Sequence, residues 1–180
     1  MVADQNDVSE FPRPVDLARL GDAGMRMTVE ANAAERAALA KRFGISAIDS
    51  LRADLELRRI SGGAAVKLSG TLSAEVTQAC VVTLEPVKQH VEEPFEILYA
   101  DEVTDEQSAI GAVSDIAWPE PLPQGTLDVG EAVAEQLSLG LDPYPRAPGV
   151  ELEQHWTGEG ESAKPFAALD KLRKPSGSSG

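Results

Sequence analysis

The sequence predicts an α+β fold. It reads as one domain with a curved antiparallel sheet of about five or six strands, two main helices and a short helix near the C-terminus. Two observations carry this. Long runs of alternating apolar and polar residues flank the segment Cys80–Pro86, and a period of two marks strands with one buried face. Two separate stretches open with helix-capping patterns and close on glycine. The alternation on both sides of Cys80–Pro86 makes that segment a connection between two antiparallel strands. A sheet that curves this way closes, in the limit, into a barrel.

Along the chain, Phe11-Pro12-Arg13-Pro14-Val15 is extended, because two prolines exclude a helix interior. Met25 to Ala31 reads as a strand. Asn32 followed by Glu35 is a capping box. It opens a helix over Ala33 to Phe43, and Gly44 stops it. Leu51, Ala53, Leu55 and Leu57 alternate with Arg52, Asp54, Glu56 and Arg58, which is a strand. Ser61-Gly62-Gly63 turns the chain into a long strand, Ala64 to Cys80. Gly70 falls on the apolar parity of that strand and predicts a bend or bulge. Pro94 interrupts the strand Val87–Tyr99 and predicts an edge or bulge position.

The second half is less patterned. Asp101 to Ser114 reads as an acidic mobile loop, and Asp115 to Pro119 as a short extended piece. Asp128 with Glu131 resembles a second capping box. It opens a helix through Leu139, stopped by Gly140, with Val129, Ala132, Val133, Gln136 and Leu137 facing inward. The boundaries are then 1–150 for the α+β domain, 151–163 for a polar tether, and 164–174 for a short helix with Pro165 in its first turn. Residues 175–180 read as disordered.

Composition narrows the function. The 180 residues are 42% hydrophobic and 26% charged, ordinary for a soluble domain. Aromatics are 4%, so Leu, Val, Ile and Ala must fill the core. No apolar run is long enough to span a bilayer and no secretory pattern opens the chain, so the expectation is a cytoplasmic protein with no membrane contact. A single cysteine excludes an internal disulfide. The net charge of −14 is concentrated: residues 85–162 hold 18 acidic and 2 basic side chains. That field repels a phosphate backbone. A solvated surface is the plainer reading of the block; a docking surface for a basic partner, such as a ribosomal protein, is the sharper one.

Catalytic patterns are absent. His90 lies on the polar parity of its strand, His155 lies in a polar loop, and no phosphate-binding loop is present. No pair of carboxylates is singled out for acid/base work. Cys80 has no second cysteine or basic neighbour to make it a ligand or nucleophile. It continues the apolar parity of its strand and reads as a small buried hydrophobe. No catalytic, cofactor or metal residue is assigned.

Three segments carry a family resemblance. Cys80-Val81-Val82-Thr83-Leu84-Glu85-Pro86 before a strand resembles the core motif of the YceD family, which commonly reads Cys-x-x-Cys and then, two residues on, an acidic residue and proline. Asp128-Val129-Gly130-Glu131 resembles that family's helix opening, and Leu141-Asp142-Pro143-Tyr144-Pro145 the segment that follows it. Lys164 to Lys174 resembles its C-terminal Pro-Phe-x-x-Leu-x-x-Leu-Lys tail. The resemblance spans about residues 64–174. Its motif positions are Cys80, Leu84, Glu85, Pro86, Asp128 and Glu131. Thr83 stands at the second cysteine position and Pro143–Gly149 holds no cysteine, so a four-thiolate zinc site cannot form.

The resemblance implies support of the synthesis, processing or stability of 23S ribosomal RNA in large-subunit biogenesis, without catalysis. It implies a large-subunit precursor or an assembly protein as partner, with direct RNA contact left open. The alternative is a metal-dependent RNA-processing enzyme, with Asp101, Glu102, Asp105 and Glu106 as possible Mg²⁺ ligands. The tail offers a candidate partner-binding stripe: Phe166, Leu169 and Leu172 at helical spacing beside Lys171, Arg173 and Lys174.

Overall fold

A computed structural model describes residues 9–100 and 119–150. The expected acidic loop, the piece Asp115–Trp118, His155, the tether and the whole tail helix, with its stripe Phe166 to Lys174, lie outside the described residues. By its internal contacts the chain divides into Met1–Pro148 and Gly149–Gly180, and the first unit holds every described strand and helix.

The fold is α+β with a five-stranded sheet. Its strands are β2 (Met25–Glu30), β3 (Ala47–Ile60), β4 (Ala65–Ala79), β5 (Pro86–Ala100) and β6 (Glu120–Pro121), hydrogen-bonded in that order. The first four are antiparallel meander neighbours. β6 pairs in parallel with the end of β5, at Tyr99 and Ala100. The sheet stays open and does not close into a barrel. A second, two-stranded sheet joins β1 (Pro14–Asp16) to β7 (Thr126–Asp128), antiparallel. Helix α1 spans Ala33–Phe43 and α2 spans Val129–Gly140.

Each helix begins where a side chain satisfies its free amides. The Asn32 Oδ1 accepts the N–H of Ala34 and Glu35, and Glu35 Oε2 accepts the N–H of Asn32 at 2.8 Å, a complete capping box. Gly44 ends α1 with φ +67°, in the left-handed region that glycine tolerates. Asp128 caps α2 by accepting from Gly130 and Glu131. The reciprocal half of a box is absent there. Glu131 instead turns outward to Arg42 of α1, at 2.6 Å.

The strands bury one parity. Leu51, Ala53, Leu55 and Leu57 of β3 and Val66, Leu68, Leu72, Ala74 and Val76 of β4 are buried, and they join Leu39 and Ala40 of α1 and the Val129–Leu137 face of α2 in a single core. That face of α2 includes Gly130 and Ala134, while Gln136 is only half-buried. The opposite sheet face is polar, with ion pairs Arg26–Glu56, Arg58–Glu56 and Lys67–Glu96 across or along strands. Such exposed pairs contribute little to stability.

Two strand details differ from or sharpen the expectation. Gly70 carries no bulge: pairing runs unbroken through Leu55, Gly70 and Phe95, and the register shift of β3 on β4 falls between Ile48 and Ser50. Glycine is required at 70 for another reason, since a Cβ there would lie 2.6 Å from the Asp54 carbonyl oxygen and 2.7 Å from Leu55 Cδ2. Pro94 sits opposite Thr71 on a stretch of β5 that β6 does not reach. On this open side a missing N–H breaks no ladder bond.

Candidate functional site

Four of the six motif positions, Cys80, Leu84, Glu85 and Pro86, lie at the β4–β5 turn. Cys80 N–H donates to the Glu85 carbonyl at 2.8 Å, and Leu84 N–H donates to the Cys80 carbonyl at 2.9 Å. These two bonds close a loop of Val81, Val82 and Thr83. Closing it forces Leu84 to φ +62°, a region that L-residues avoid. Glu85 precedes Pro86 and so is biased toward extended backbone, which feeds the chain into β5.

This turn is pinned to the segment after α2. Val81 N–H donates to the Pro145 carbonyl at 2.9 Å. Gln78 Nε2 donates to the Asp142 carbonyl at 2.9 Å, and Asp142 N–H donates to Gln89 Oε1 at 3.3 Å. The Cys80 sulfur accepts from the amides of Thr83 and Ala147, both at 3.4 Å. Cys80 is enclosed, as its parity predicts. Its setting differs from the sequence expectation of a plain hydrophobe. The Thr83 side chain, followed by the amides of Ala147, Thr83 and Val82, pulls the thiol down to about 6. Ala147 is 67 residues away, so no local spacing signals this.

Linkage gives the sign of the consequence. A thiol that ionises more readily folded than unfolded stabilises the fold above the unfolded pKa, and this stabilisation is lost as pH falls through about 6. Absorbance at 240 nm should therefore titrate near pH 6. Cys80→Ser should lower the melting temperature by about 3–6 °C near pH 9, and by less at pH 5. A deficit independent of pH would show that the sulfur is held as a neutral thiol.

Around the enclosed sulfur the turn exposes apolar side chains. Leu84 is 78% exposed, Val81 48% and Val82 40%, with Tyr144 of the pinned segment at 70%. Exposed apolar residues that a rigid hydrogen-bonded turn holds together suit recognition by a partner. Asp128 and Glu131, the other motif positions, lie elsewhere and serve the scaffold. Asp128 Oδ1 also accepts from the Arg13 amide at 2.8 Å, and Glu131 and Glu10 both hold Arg42. Arg42 keeps the Glu131 carboxyl below the usual range. His90 is half-exposed beside Glu75 and Glu92. Among the described residues no group of three potential ligands could hold a metal. The four carboxylates of the enzyme alternative lie outside those residues.

The model of the family described as large ribosomal RNA subunit accumulation protein YceD matches residues 68–173, more than half of the chain. No curated protein matches, and no solved structure does. Among the described residues no helix is long and apolar enough to cross a membrane.

Proposed function

The chain belongs to the YceD family, and from that membership we propose that it is a non-catalytic factor supporting synthesis, processing or stability of 23S ribosomal RNA during large-subunit biogenesis. The observation that carries this reading is the family match over residues 68–173. The hydrogen-bonded turn that presents Val81, Val82 and Leu84, with Tyr144 exposed on the segment pinned to it, supports it, because such a surface binds rather than reacts. The net charge of −14 favours a basic protein partner over bare RNA. The working compartment is then the cytoplasm, with a large-subunit precursor or a basic ribosomal protein as partner. Depletion of the protein should lower 23S relative to 16S ribosomal RNA, and the purified protein should not cleave precursor RNA with Mg²⁺ present. Metal-dependent cleavage would favour the enzyme reading instead.

The tail belongs to this proposal. Residues 151–163 act as a tether, and Phe166, Leu169 and Leu172 with Lys171, Arg173 and Lys174 contact the partner. A helix this short is marginal alone in water, so ordering on a partner suits it. Deleting residues 163–180 should leave the melting temperature within about 2 °C of wild type and weaken cosedimentation with large-subunit precursors. A sharp fall in melting temperature with intact cosedimentation would make the tail part of the core.

A further inference from the structure

Beside the β4–β5 turn lies an open cleft of about 380 Å³. It is bounded by the end of α1, the end of β4, the end of α2 and the pinned segment after it. Phe43, Ile45, Leu141 and Pro145 give it apolar walls, and among the described residues Asp142 is the charged one of its lining and no basic side chain lines it. Three features make the cleft electronegative. The C-termini of α1 and α2 both end in its wall, at Gly44 and Leu141, and each helix C-terminus carries a partial negative charge. The last turn of α1 carries Lys41 and Arg42, which offset its end, whereas the last turn of α2 has no basic residue. The lining also holds Gln78, 7% exposed, whose Nε2 is used on Asp142 while its Oε1 has no partner among the described residues. That uncompensated carbonyl dipole adds to the negative potential in a low-dielectric setting.

Apolar walls around a negative interior fit a long cationic side chain, whose stem packs while its head meets the carbonyls and carboxylate. We propose that this cleft seats a lysine or arginine of a basic protein segment, and that the exposed Val81 and Tyr144, joined to its Pro145 wall, grip the apolar neighbours of that residue. The proposal rests on the biogenesis reading above and gives its partner a chemistry. RNA is the poorer occupant, because a phosphate would meet Asp142 and the C-terminus of α2, which no basic residue of its last turn offsets. The surface is pre-organised: Tyr144 N–H donates to Asp142 Oδ1 at 2.8 Å, and Val81 is tied to Pro145. Little ordering entropy therefore opposes docking.

The test uses the full chain and a fluorescein-labelled, capped peptide of alternating Arg and Leu, with a Glu and Leu peptide as counterpart. Fluorescence anisotropy should show binding of the first and not the second, weakening several-fold as salt is raised. Asp142→Lys should weaken binding at least tenfold. Glu92→Lys makes the same charge change on the polar sheet face and should weaken it less than twofold. If melting shows that Asp142→Lys is misfolded, Tyr144→Lys carries the comparison, since Tyr144 is exposed. Equal losses in the near and far variants would mean a diffuse field and overturn the cleft. Displacement of the peptide by a single-stranded RNA oligonucleotide at equal concentration would overturn it too. So would tenfold tighter binding after joint reversal of Lys171, Arg173 and Lys174 to Glu, which would make the chain's own tail the occupant. Gradient sedimentation separates this proposal from its premise. Precursor association kept by Asp142→Lys removes the cleft and leaves the biogenesis role, whereas none in wild type removes the role.

Discussion

Gly130→Ala should destabilise the protein by at least about 3 kcal/mol, beyond the ordinary range for overpacking a core. Gly130 is buried in the first turn of α2. A Cβ at that position would lie 1.8 Å from the carbonyl oxygen of Phe11 and 3.1 Å from Arg13 Cγ. The Phe11 carbonyl has little room to yield, because Arg13, two residues on, is held through both its amide and its carbonyl. Arg13 N–H donates to the Asp128 cap, and Val129 N–H donates to the Arg13 carbonyl at 3.1 Å. The added methyl must displace the N-terminal strand or the helix start, and either loses these bonds. Thermal unfolding followed by circular dichroism should show a fall of about 6–12 °C. Gly21→Ala is the control: none of the described residues lies within 4 Å of a Cβ at Gly21 and its φ is not positive, so its melting should stay within about 2 °C. Equal melting of the two variants would show that the strand and α2 are not in close contact.

Phe11→Ala should cost about 3–5 kcal/mol, the range for removing a buried aromatic ring. Phe11 has no exposure and is the largest of the fully buried side chains. Arg13 covers its ring, with the guanidinium carbon 4.3 Å from the centroid. The same guanidinium makes a bidentate pair with Glu35 at 2.8 and 2.9 Å and donates to the Glu30 carbonyl. The pair holds the Glu35 carboxyl below the usual range, and Glu35 is also half of the α1 capping box. Loss of the ring should therefore loosen the start of both helices together. Chemical denaturation should show a lower midpoint, with hydrogen exchange rising at Ala34, Glu35 and Glu131. A loss confined to residues 11–16 would mean that the strand packs on the domain without organising it.

Both predictions fall on a segment that the sequence marks only as extended. Its two prolines exclude a helix, but nothing local says that Phe11 enters the core or that Arg13 links the two helices. Those contacts span 22 residues to Glu35 and 115 to Asp128. The β1–β7 pairing joins segments equally far apart. Likewise, Gly70 was legible as a glycine with a reason, but not the reason. A bulge and a close approach of Leu55 leave the same mark in a single strand, and the bulge sits at Ile48/Ser50.

The long strands, the capped helices and the β4–β5 turn were readable from the sequence. Each rests on short-range physics: alternation over β3, β4 and β5, the Asn32–Glu35 box, and a turn between two matched runs. The burial of Cys80 was readable in the same way, from parity. Only the tertiary structure decided what surrounds these elements. It brought Pro145 and Ala147 against the turn, so that Cys80 sits among N–H donors rather than among hydrocarbon alone. It turned Glu131 from a capping partner into an anchor for Arg42. It also left Val81 and Tyr144 exposed next to the Pro145 wall of a cleft between two helix ends. The difference is one of range. Periodicity and capping act within a few residues and are written in sequence order, whereas hydrogen bonds and packing between distant segments depend on how the sheet and helices close over one core.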